Sequence, residues 1–221
     1  MPAFVVLPAS SFDLEAIVRV QFEACASDHG FPAIFPKGPT RASVTHFVRA
    51  FEYDMDNDPT CRIVIAKDAT SGEVASYAIW NFFPFRTQEE IEEEMLIDDF
   101  PLPKDANKKL GNALIHNSIR KRHEVVAATI GECTPYAFLA AVGTSPKYQN
   151  QGAASKLLTW GLERADIRGL ATYVESAPAG LRLYEKFGFK EVAKFRLDLA
   201  PWSEGDYFNI CMIRTIAMGE T

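Results

Sequence analysis

Hydrophobic and polar positions alternate with two different periods along the N-terminal third of the chain. A short apolar run from Phe4 to Leu7 ends at Pro8 and predicts an edge strand. Two later stretches, Leu14 to Cys25 and Val44 to Phe51, have apolar residues at helical spacing. Three prolines and two glycines within residues 30–39 exclude a continuous helix between them. The pattern predicts a strand and two helices, with a loop joining the helices.

The middle of the chain predicts two strands and then a long insertion. Cys61–Ala66 and Val74–Trp80 are apolar runs separated by a polar stretch that contains Gly72, as in a hairpin. Roughly 50 residues follow, from Phe82 to Pro135, in which an acidic run ends near two prolines. Apolar residues then return at helical spacing from Leu110 to Ile119. We interpret this region as a helical insert whose charged runs are solvent-exposed helix faces.

The rest of the chain is predicted to alternate between strands and helices. The helix that begins at Gly152 lies between the predicted strands Tyr136–Thr144 and Ala171–Val174, so these two strands must form a parallel pair. The other neighbouring strands can be antiparallel. We therefore expect an α/β fold of the α+β type, with a mixed, mostly antiparallel sheet, helices on both faces and a helical insert between the third and fourth strands. No long linker is present, so we expect one domain over residues 1–221. The predicted elements are the strand Tyr136–Thr144, a helix from Gly152 to Gly169, the strand Ala171–Val174, a helix from Ala179 to Phe187, and the strands Glu191–Leu199 and Tyr207–Ile213.

Charge and cysteine content narrow the class of protein. The net charge of −6 argues against a general nucleic-acid-binding protein. Four cysteines are widely scattered without a C-x-x-C pair, which disfavours both a metal site and a disulfide framework. The apolar N-terminus lacks a basic region, and no apolar run approaches the length of a membrane span. We therefore expect a cytoplasmic protein that binds neither nucleic acid nor membrane.

The stretch from Phe138 to Leu158 is the most informative part of the sequence. It predicts a buried strand, a polar turn, a glycine at a helix start and an amphipathic helix. Unpaired backbone N–H groups at a helix N-terminus can bind phosphate, so the spacing alone indicates an anion site. Gln149-x-x-Gly152-x-Ala154 also resembles the Gln/Arg-x-x-Gly-x-Gly/Ala turn of the GNAT superfamily of N-acetyltransferases.

A second stretch strengthens this resemblance. About 30 residues later, the sequence from Pro178 to Phe189, which contains Leu183-Tyr184-Glu-Lys-Phe-Gly188, is similar to the second half of a GNAT fold. These specific motifs cover only about residues 138–190, and the N-terminal third agrees by the order of its elements. The resemblance implies the GNAT fold and the use of acetyl-CoA as the acyl donor.

The resemblance also implies where the cofactor binds. The strand that matches Leu139–Thr144 is expected to splay from its parallel neighbour, so that pantetheine pairs with the freed backbone groups, including those of Val142 and Thr144. The N–H near Val142 would face the thioester oxygen. Small residues in the turn let its backbone approach the pyrophosphate, although the turn is less basic than is usual in the family. The N–H groups implied to hold the pyrophosphate are those of Gln149, Asn150, Gln151, Gly152, Ala153 and Ala154.

Two residues are implied in catalysis. Tyr184 matches the family tyrosine near the coenzyme A sulfur, and a phenol is protonated at neutral pH and can donate to the departing thiolate. Some family members have a glutamate on the central strand, but Phe138–Thr144 contains no carboxylate. Glu175, at the end of the neighbouring strand, is the nearest candidate base. His29, beside Asp28 and the proline-rich loop, is a weaker one.

We therefore interpret the sequence as an acetyltransferase that moves an acetyl group from acetyl-CoA to an amine, in a small molecule, by direct attack in a ternary complex. A protein lysine or N-terminal acetyltransferase remains an alternative, as does a non-catalytic acyl-CoA-binding module, because the strand carboxylate is missing. The oligomeric state is open, with a homodimer among the alternatives. Aromatic residues that could line an acceptor pocket are Phe31, Phe35, Phe82, Phe83, Phe85 and Trp202.

Overall fold

Seven strands form one sheet in the computed structural model, which describes residues 3–97, 99–200 and 206–216. The strands are β1 (Phe4–Pro8), β2 (Cys61–Asp68), β3 (Val74–Phe83), β4 (Tyr136–Thr144), β5 (Ala171–Ser176), β6 (Lys190–Asp198) and β7 (Asp206–Arg214). Their order in the sheet is β1-β2-β3-β4-β5-β7-β6. Within these residues β4 and β5 are the one parallel pair, and every other neighbouring pair is antiparallel. The expected mixed, mostly antiparallel sheet is confirmed.

Seven helices occur in the same described residues, and one of them corrects the sequence analysis. They are α1 (Leu14–Ala24), α2 (Gly30–Ile34), α3 (Arg41–Asn57), α4 (Gln88–Met95), α5 (Lys108–Thr129), α6 (Ala153–Ile167) and α7 (Leu181–Lys186). The segment 30–39 was expected to be a loop, but it begins with α2. Pro32 is tolerated because it lies in the first turn, where its missing N–H is not needed. The Asp28 carboxylate accepts hydrogen bonds from the N–H groups of Gly30 (2.6 Å) and Phe31 (3.2 Å), and so caps the helix.

One face of the sheet is covered by α6, which lies unusually close to it. The apolar side of α6 presents Leu157, Leu158 and Leu162 to the sheet core. Gly161 lies against the indole of Trp80, where an added Cβ would be 2.1 Å from the ring. The absence of a side chain at this position lets α6 pack directly onto β3, and this fixes the location of its N-terminus.

The opposite face is covered by two groups of helices. Helices α1 and α3 pack on β2 and β3 around Ile63, Ile65 and Tyr77. Helix α5, from the insert, packs over β4, β5 and β7 around Tyr136 and Tyr173. The prediction of helices on both faces, with a helical insert between the third and fourth strands, is therefore confirmed. No helix within the described ranges is long and apolar enough to span a membrane.

The insert is held together by a carboxylate that accepts hydrogen bonds from two arginines and a histidine. Helix α4 has no buried residue, but its Glu94 accepts hydrogen bonds from Arg86 (2.7 Å), Arg122 and His123 (3.1 Å). Burial opposes ionisation of Glu94, yet the hydrogen bond with His123 and the charges of Arg122 and Arg86 hold its pKa well below the usual range. Glu94 is therefore ionised at neutral pH, and it ties α4 to α5.

Candidate active site

The turn before α6 presents a row of free backbone donors. Gly152 is the N-cap residue of α6 and has a φ of 91°, in the left-handed region that glycine adopts most easily. Asn150 is also left-handed, with a φ of 58°. Within residues 3–97, 99–200 and 206–216, no protein acceptor bonds the N–H groups from Asn150 to Ala154. Free donors at the positive end of a 15-residue helix form an arrangement suited to a phosphate group.

Strands β4 and β5 separate part-way along their length. Their pairing runs from Tyr136↔Ala171 to Leu139↔Val174 and then stops, although β4 continues to Thr144. A register shift in the β3–β4 pairing lies at the same level, because Ile79 is opposite Ala141 and Trp80 is opposite Leu139. The extra residue, Ala140, forms a bulge that bends β4 away from β5. The result is a gap between the strands, beside the turn that precedes α6.

Backbone groups of β4 face this gap at alternate residues. The Ser145 N–H donates to the Ala75 carbonyl (3.0 Å), and this bond sets the alternation of the antiparallel β3–β4 pair. Gly143 therefore bonds toward β3, whereas the backbone groups of Val142 and Thr144 point to the other side. These two residues are the ones for which the sequence resemblance implied pantetheine contacts.

Tyr184 lies buried on α7, where its ring packs edge-on against Phe189 with centroids 5.7 Å apart. Burial accounts for its pKa, to which no hydrogen bond from a described residue contributes. Burial raises the pKa of Tyr184 above its ordinary value, so the phenol is protonated at neutral pH. The pKa of Tyr77 is raised by burial, by Cys25 and by Tyr184, which places the two phenols within electrostatic range.

Glu175 follows Val174, the last residue of β5 that pairs with β4. The Tyr173 hydroxyl donates to its Oε1 (3.1 Å). Burial raises the pKa of Glu175, and the opposing effects of Ser118, Arg122 and Tyr173 do not offset it. A carboxyl group with a raised pKa at the point where two strands separate is suited to accept a proton near neutral pH.

Comparison with protein families identifies this arrangement. The model of the acetyltransferase (GNAT) family matches residues 33–189, which include the turn before α6, the strand gap and Tyr184. The chain belongs to the GNAT acetyltransferase family. The match begins in α2 and ends at Phe189, so it also covers α3 and the insert but not β1 and α1.

Solved structures of other GNAT proteins share the fold over nearly the whole chain. The histone acetyltransferase HPA2 and related acetyltransferase from Corynebacterium glutamicum matches with 21% identity, full coverage of both chains and a TM-score of 0.60. Arylalkylamine N-acetyltransferase 2 from Aedes aegypti matches with 12% identity, 97% coverage of this chain, 99% of the other and a TM-score of 0.65. A phosphinothricin acetyltransferase from Sinorhizobium meliloti, solved with AcCoA, matches with 15% identity, 98% and 90% coverage and a TM-score of 0.56.

Two tyrosines near the gap between β4 and β5 were not identified from the sequence. Tyr77 faces β4 at Gly143, where an added Cβ would be 2.6 Å from the tyrosine ring. Tyr207 accepts a hydrogen bond at its hydroxyl from Asn209 (2.7 Å), and burial and the charges of Asp28 and Glu175 raise its pKa. The pattern of β3 and β7 predicts that these side chains point inward, but strand order is needed to bring them together. A glycine opposite a tyrosine, as at Gly143, was the one available signal.

The other residues predicted from the sequence are exposed, cap a helix or pack against other aromatic rings. His29 is exposed at the start of α2, and Asp28 beside it is occupied by capping that helix. Of the aromatic candidates for an acceptor pocket, Phe31 and Phe35 pack with Phe22 and Phe47 under α1. Phe82 stacks on Trp80, Phe83 contacts Tyr136, and Phe85 is exposed. Trp202 lies outside the described residues.

Proposed function

We propose that this GNAT protein transfers an acetyl group from acetyl-CoA to the amine of a small molecule, by direct attack in a ternary complex and within a single domain. The observation that carries the proposal is the gap between β4 and β5 beyond Leu139↔Val174, which opens beside the free N–H groups of Asn150 to Ala154. A thioester with a pyrophosphate at one end needs an anion site and an extended groove in this relative placement.

Each part of the gap has a role in this proposal. The N–H groups from Asn150 to Ala154 hold the pyrophosphate, whereas that of Gln149 donates to the Pro146 carbonyl (3.5 Å). The backbone groups of Val142 and Thr144 pair with pantetheine. The Val142 N–H stabilises the oxyanion that forms when the amine attacks the thioester carbon. Tyr184 then donates its proton to the departing thiolate, and its raised pKa keeps that proton available at neutral pH.

Glu175 supplies the base in this proposal. An alkylamine with a pKa of about 10.4 is neutral in only about one molecule in 2,500 at pH 7, so a group must remove its proton. Glu175 has a pKa raised by burial, which brings it closer to the pKa of the amine and makes it a stronger base than an exposed glutamate. Glu175 directly follows Val174, the last residue of β5 that pairs with β4, and we assign it to the acceptor side of the gap on this ground.

The protonation of Cys25, which lies within electrostatic range of Tyr77, supports direct attack rather than an acyl-enzyme intermediate. Burial and the charge of Asp28 raise the pKa of Cys25 to about 11. A thiol with this pKa is almost entirely protonated at neutral pH and is a poor nucleophile. Cys25 is therefore assigned no covalent role.

The position of the insert supports a small acceptor. The Asn107 N–H at the start of α5 donates to the Ile34 carbonyl of α2 (2.8 Å), and the Thr40 hydroxyl donates to Asp105. Gly30, at the start of α2, lies against the ring of Tyr207. The insert thus packs on the segment that borders the gap, and this leaves less room for an extended protein chain than for a compact amine.

Acetyl transfer is tested by incubating the protein with acetyl-CoA and a panel of amines while measuring release of the free thiol. The panel contains alkylamines, arylalkylamines, polyamines, lysine-containing peptides and peptides with free N-termini. Turnover with small amines and not with peptides is the expected result. Turnover confined to peptides would indicate that the acceptor is a protein and not a small molecule. Binding of acetyl-CoA without turnover on any amine would leave a non-catalytic binding module.

Replacing Glu175 with glutamine is expected to remove the acidic limb of the pH profile. A base must be ionised to act, so kcat/KM falls as the pH drops through its pKa, and burial moves that limb above the range of an ordinary glutamate. In the Glu175→Gln variant we expect kcat to fall by about a hundredfold, the low end of the usual contribution of a general base, and the remaining rate to lose this limb. The measurement is kcat/KM against pH with the best amine from the panel.

Glu185→Gln is the matched control, because Glu185 is an exposed residue of α7. Its profile is expected to match that of the unchanged protein. An acidic limb that persists in Glu175→Gln would assign the base to another group.

A further inference from the structure

Helix α5 of the insert places a buried arginine near the proposed base. Arg122 is 7% exposed, although arginine is normally a surface residue. Its guanidinium lies over the ring of Phe138, with its Cζ 4.8 Å from the ring centroid. Phe138 is opposite Tyr173 in the parallel β4–β5 pair, and the centroids of their rings are 5.7 Å apart. The Tyr173 hydroxyl donates to Glu175 (3.1 Å), so Arg122 and Glu175 lie on the same side of the sheet.

The charge of Arg122 is only partly compensated within the insert. Its Nη2 donates to Glu94, but the same carboxylate also accepts from Arg86 (2.7 Å) and His123 (3.1 Å). The Arg122 Nε is buried without a hydrogen-bond partner among the described residues. Two largely buried arginines thus share one carboxylate, and Glu175 is the second carboxylate that interacts electrostatically with Arg122. Ionisation of Glu175 therefore balances the charges of the two arginines.

Arg122 is the one charged group in the described part of the chain that acts on the ionisation of Glu175. Burial raises the pKa of Glu175, and the Arg122 charge opposes this rise. Ser118, one helical turn before Arg122 on α5, acts in the same direction as the arginine. Burial raises the pKa of each titratable neighbour on the strands, so all of them are neutral at neutral pH. These neighbours are Tyr173 on β5 and Tyr207 and Cys211 on β7.

We propose that Arg122 is a positioning residue for Glu175, and that its guanidinium stabilises the ionised carboxylate and so sets the pH below which the base is lost. This role rests on the proposed function, because Arg122 acts on the base that the proposed function assigns. Glu94 opposes the effect, since it is bound to the same guanidinium and carries the opposite charge. The helical insert thereby determines the pH range in which the amine can be deprotonated.

Arg122→Met and Arg122→Lys form a matched pair of variants. Both side chains lack the planar guanidinium, and only lysine keeps the positive charge. A carboxylate without its cationic partner becomes protonated at a higher pH. We therefore expect the acidic limb of kcat/KM in Arg122→Met to lie about one pH unit above that of the unchanged protein. In Arg122→Lys the limb is expected to shift clearly less, because the charge is retained.

Glu94→Gln is expected to move the acidic limb in the opposite direction. The amide removes the negative charge that offsets Arg122, so the guanidinium acts more strongly on Glu175, and the limb should move down by about half a pH unit. Glu93→Gln is the matched control, since Glu93 is exposed on the same helix, and its limb is expected to stay in place. A purely structural role of Arg122 and Glu94 would not produce shifts of opposite sign.

Carbon NMR of protein labelled at the glutamate carboxyl carbons separates this inference from the proposed function. The Glu175 resonance is assigned by its absence in Glu175→Gln, and its titration is followed without any substrate. We expect its midpoint to move up in Arg122→Met and down in Glu94→Gln. If these midpoints move while the kinetic limb persists in Glu175→Gln, Arg122 has the proposed effect on the carboxylate and the base is another group. Thermal unfolding verifies that each variant is folded.

Two results would overturn the assignment. One is an unchanged midpoint of the Glu175 titration in folded Arg122→Met. The other is a shift of the same sign and size in Arg122→Met and Arg122→Lys, which would attribute the effect to the shape of the side chain and not to its charge. If Arg122→Met does not fold, an unchanged Glu175 midpoint in folded Glu94→Gln contradicts the proposal by itself.

Discussion

Replacing Gly152 with aspartate is expected to weaken acetyl-CoA binding by at least about a hundredfold. The new carboxylate would stand at the N-cap of α6, next to the N–H groups assigned to the pyrophosphate. Two unit charges about 4 Å apart near a protein surface repel by about 4 kcal/mol, and each 1.4 kcal/mol is a factor of ten in affinity. Calorimetric titration with acetyl-CoA measures the loss, which should shrink as the salt concentration rises.

Gly152→Asn is the matched control for this experiment. Asparagine has nearly the same shape as aspartate and tolerates the left-handed conformation that Gly152 adopts at a φ of 91°. A Cβ at this position meets no atom within 4 Å, so neither variant is expected to disturb packing. Most of the loss of acetyl-CoA affinity should therefore appear in Gly152→Asp and not in Gly152→Asn. Equal and small effects of both substitutions would contradict a phosphate site at this turn.

Replacing Tyr184 with phenylalanine is expected to lower kcat by about 10²–10⁴-fold, the usual contribution of a well-placed general acid. Affinity for acetyl-CoA should change little, because the proposed role is proton donation and not binding. Tyr184 is buried and no hydrogen bond from a described residue contributes to its pKa, so removal of its hydroxyl is not expected to leave another group unsatisfied. Steady-state kinetics and thermal unfolding measured together should show lost turnover in a protein that is equally stable or more so.

The Tyr77→Phe variant tests whether a neighbouring phenol, and not Tyr184, is the proton donor. Tyr77 is also buried, its pKa is also raised, and it lies within electrostatic range of Tyr184. We expect Tyr77→Phe to reduce turnover less than Tyr184→Phe. The reverse order would assign the proton donor to Tyr77, and no loss in either variant would exclude both.

Local sequence patterns predicted the elements of this fold well, because most depend on nearby residues. The predicted strand Tyr136–Thr144 agrees with β4, and the helix expected after Gly152 is α6. Helix α2 was missed because its stability comes from the Asp28 cap and from packing against Tyr207, not from its own proline-rich sequence. The hydrogen bonds that join α4 to α5 could not be predicted from local sequence either, since the partners of Glu94 span residues 86–123.

The candidate site was only partly predictable. The turn at Gly152 and the position of Tyr184 lie in local sequence motifs, so a single sequence can reveal them. The family resemblance implied a gap between these strands, but the bulge at Ala140 and the point where the β4–β5 pairing ends have no local sequence signal that we recognised. Tyr77 and Tyr207 come from strands about 130 residues apart in the chain. Their proximity follows from the order of strands in the sheet, which periodicity does not encode.

The short pairing of β4 with β5 divides the sheet into two antiparallel halves, β1 to β4 and β5 to β7, joined by four residue pairs. Helix α6 packs on β1 to β5 and so bridges both halves from one side. Separation of the halves is the opening motion that breaks the fewest strand hydrogen bonds, and it follows the same path by which a ligand would enter the gap. A ligand bound there would therefore hold the two halves of the sheet together, and its binding free energy would add to the free energy of unfolding.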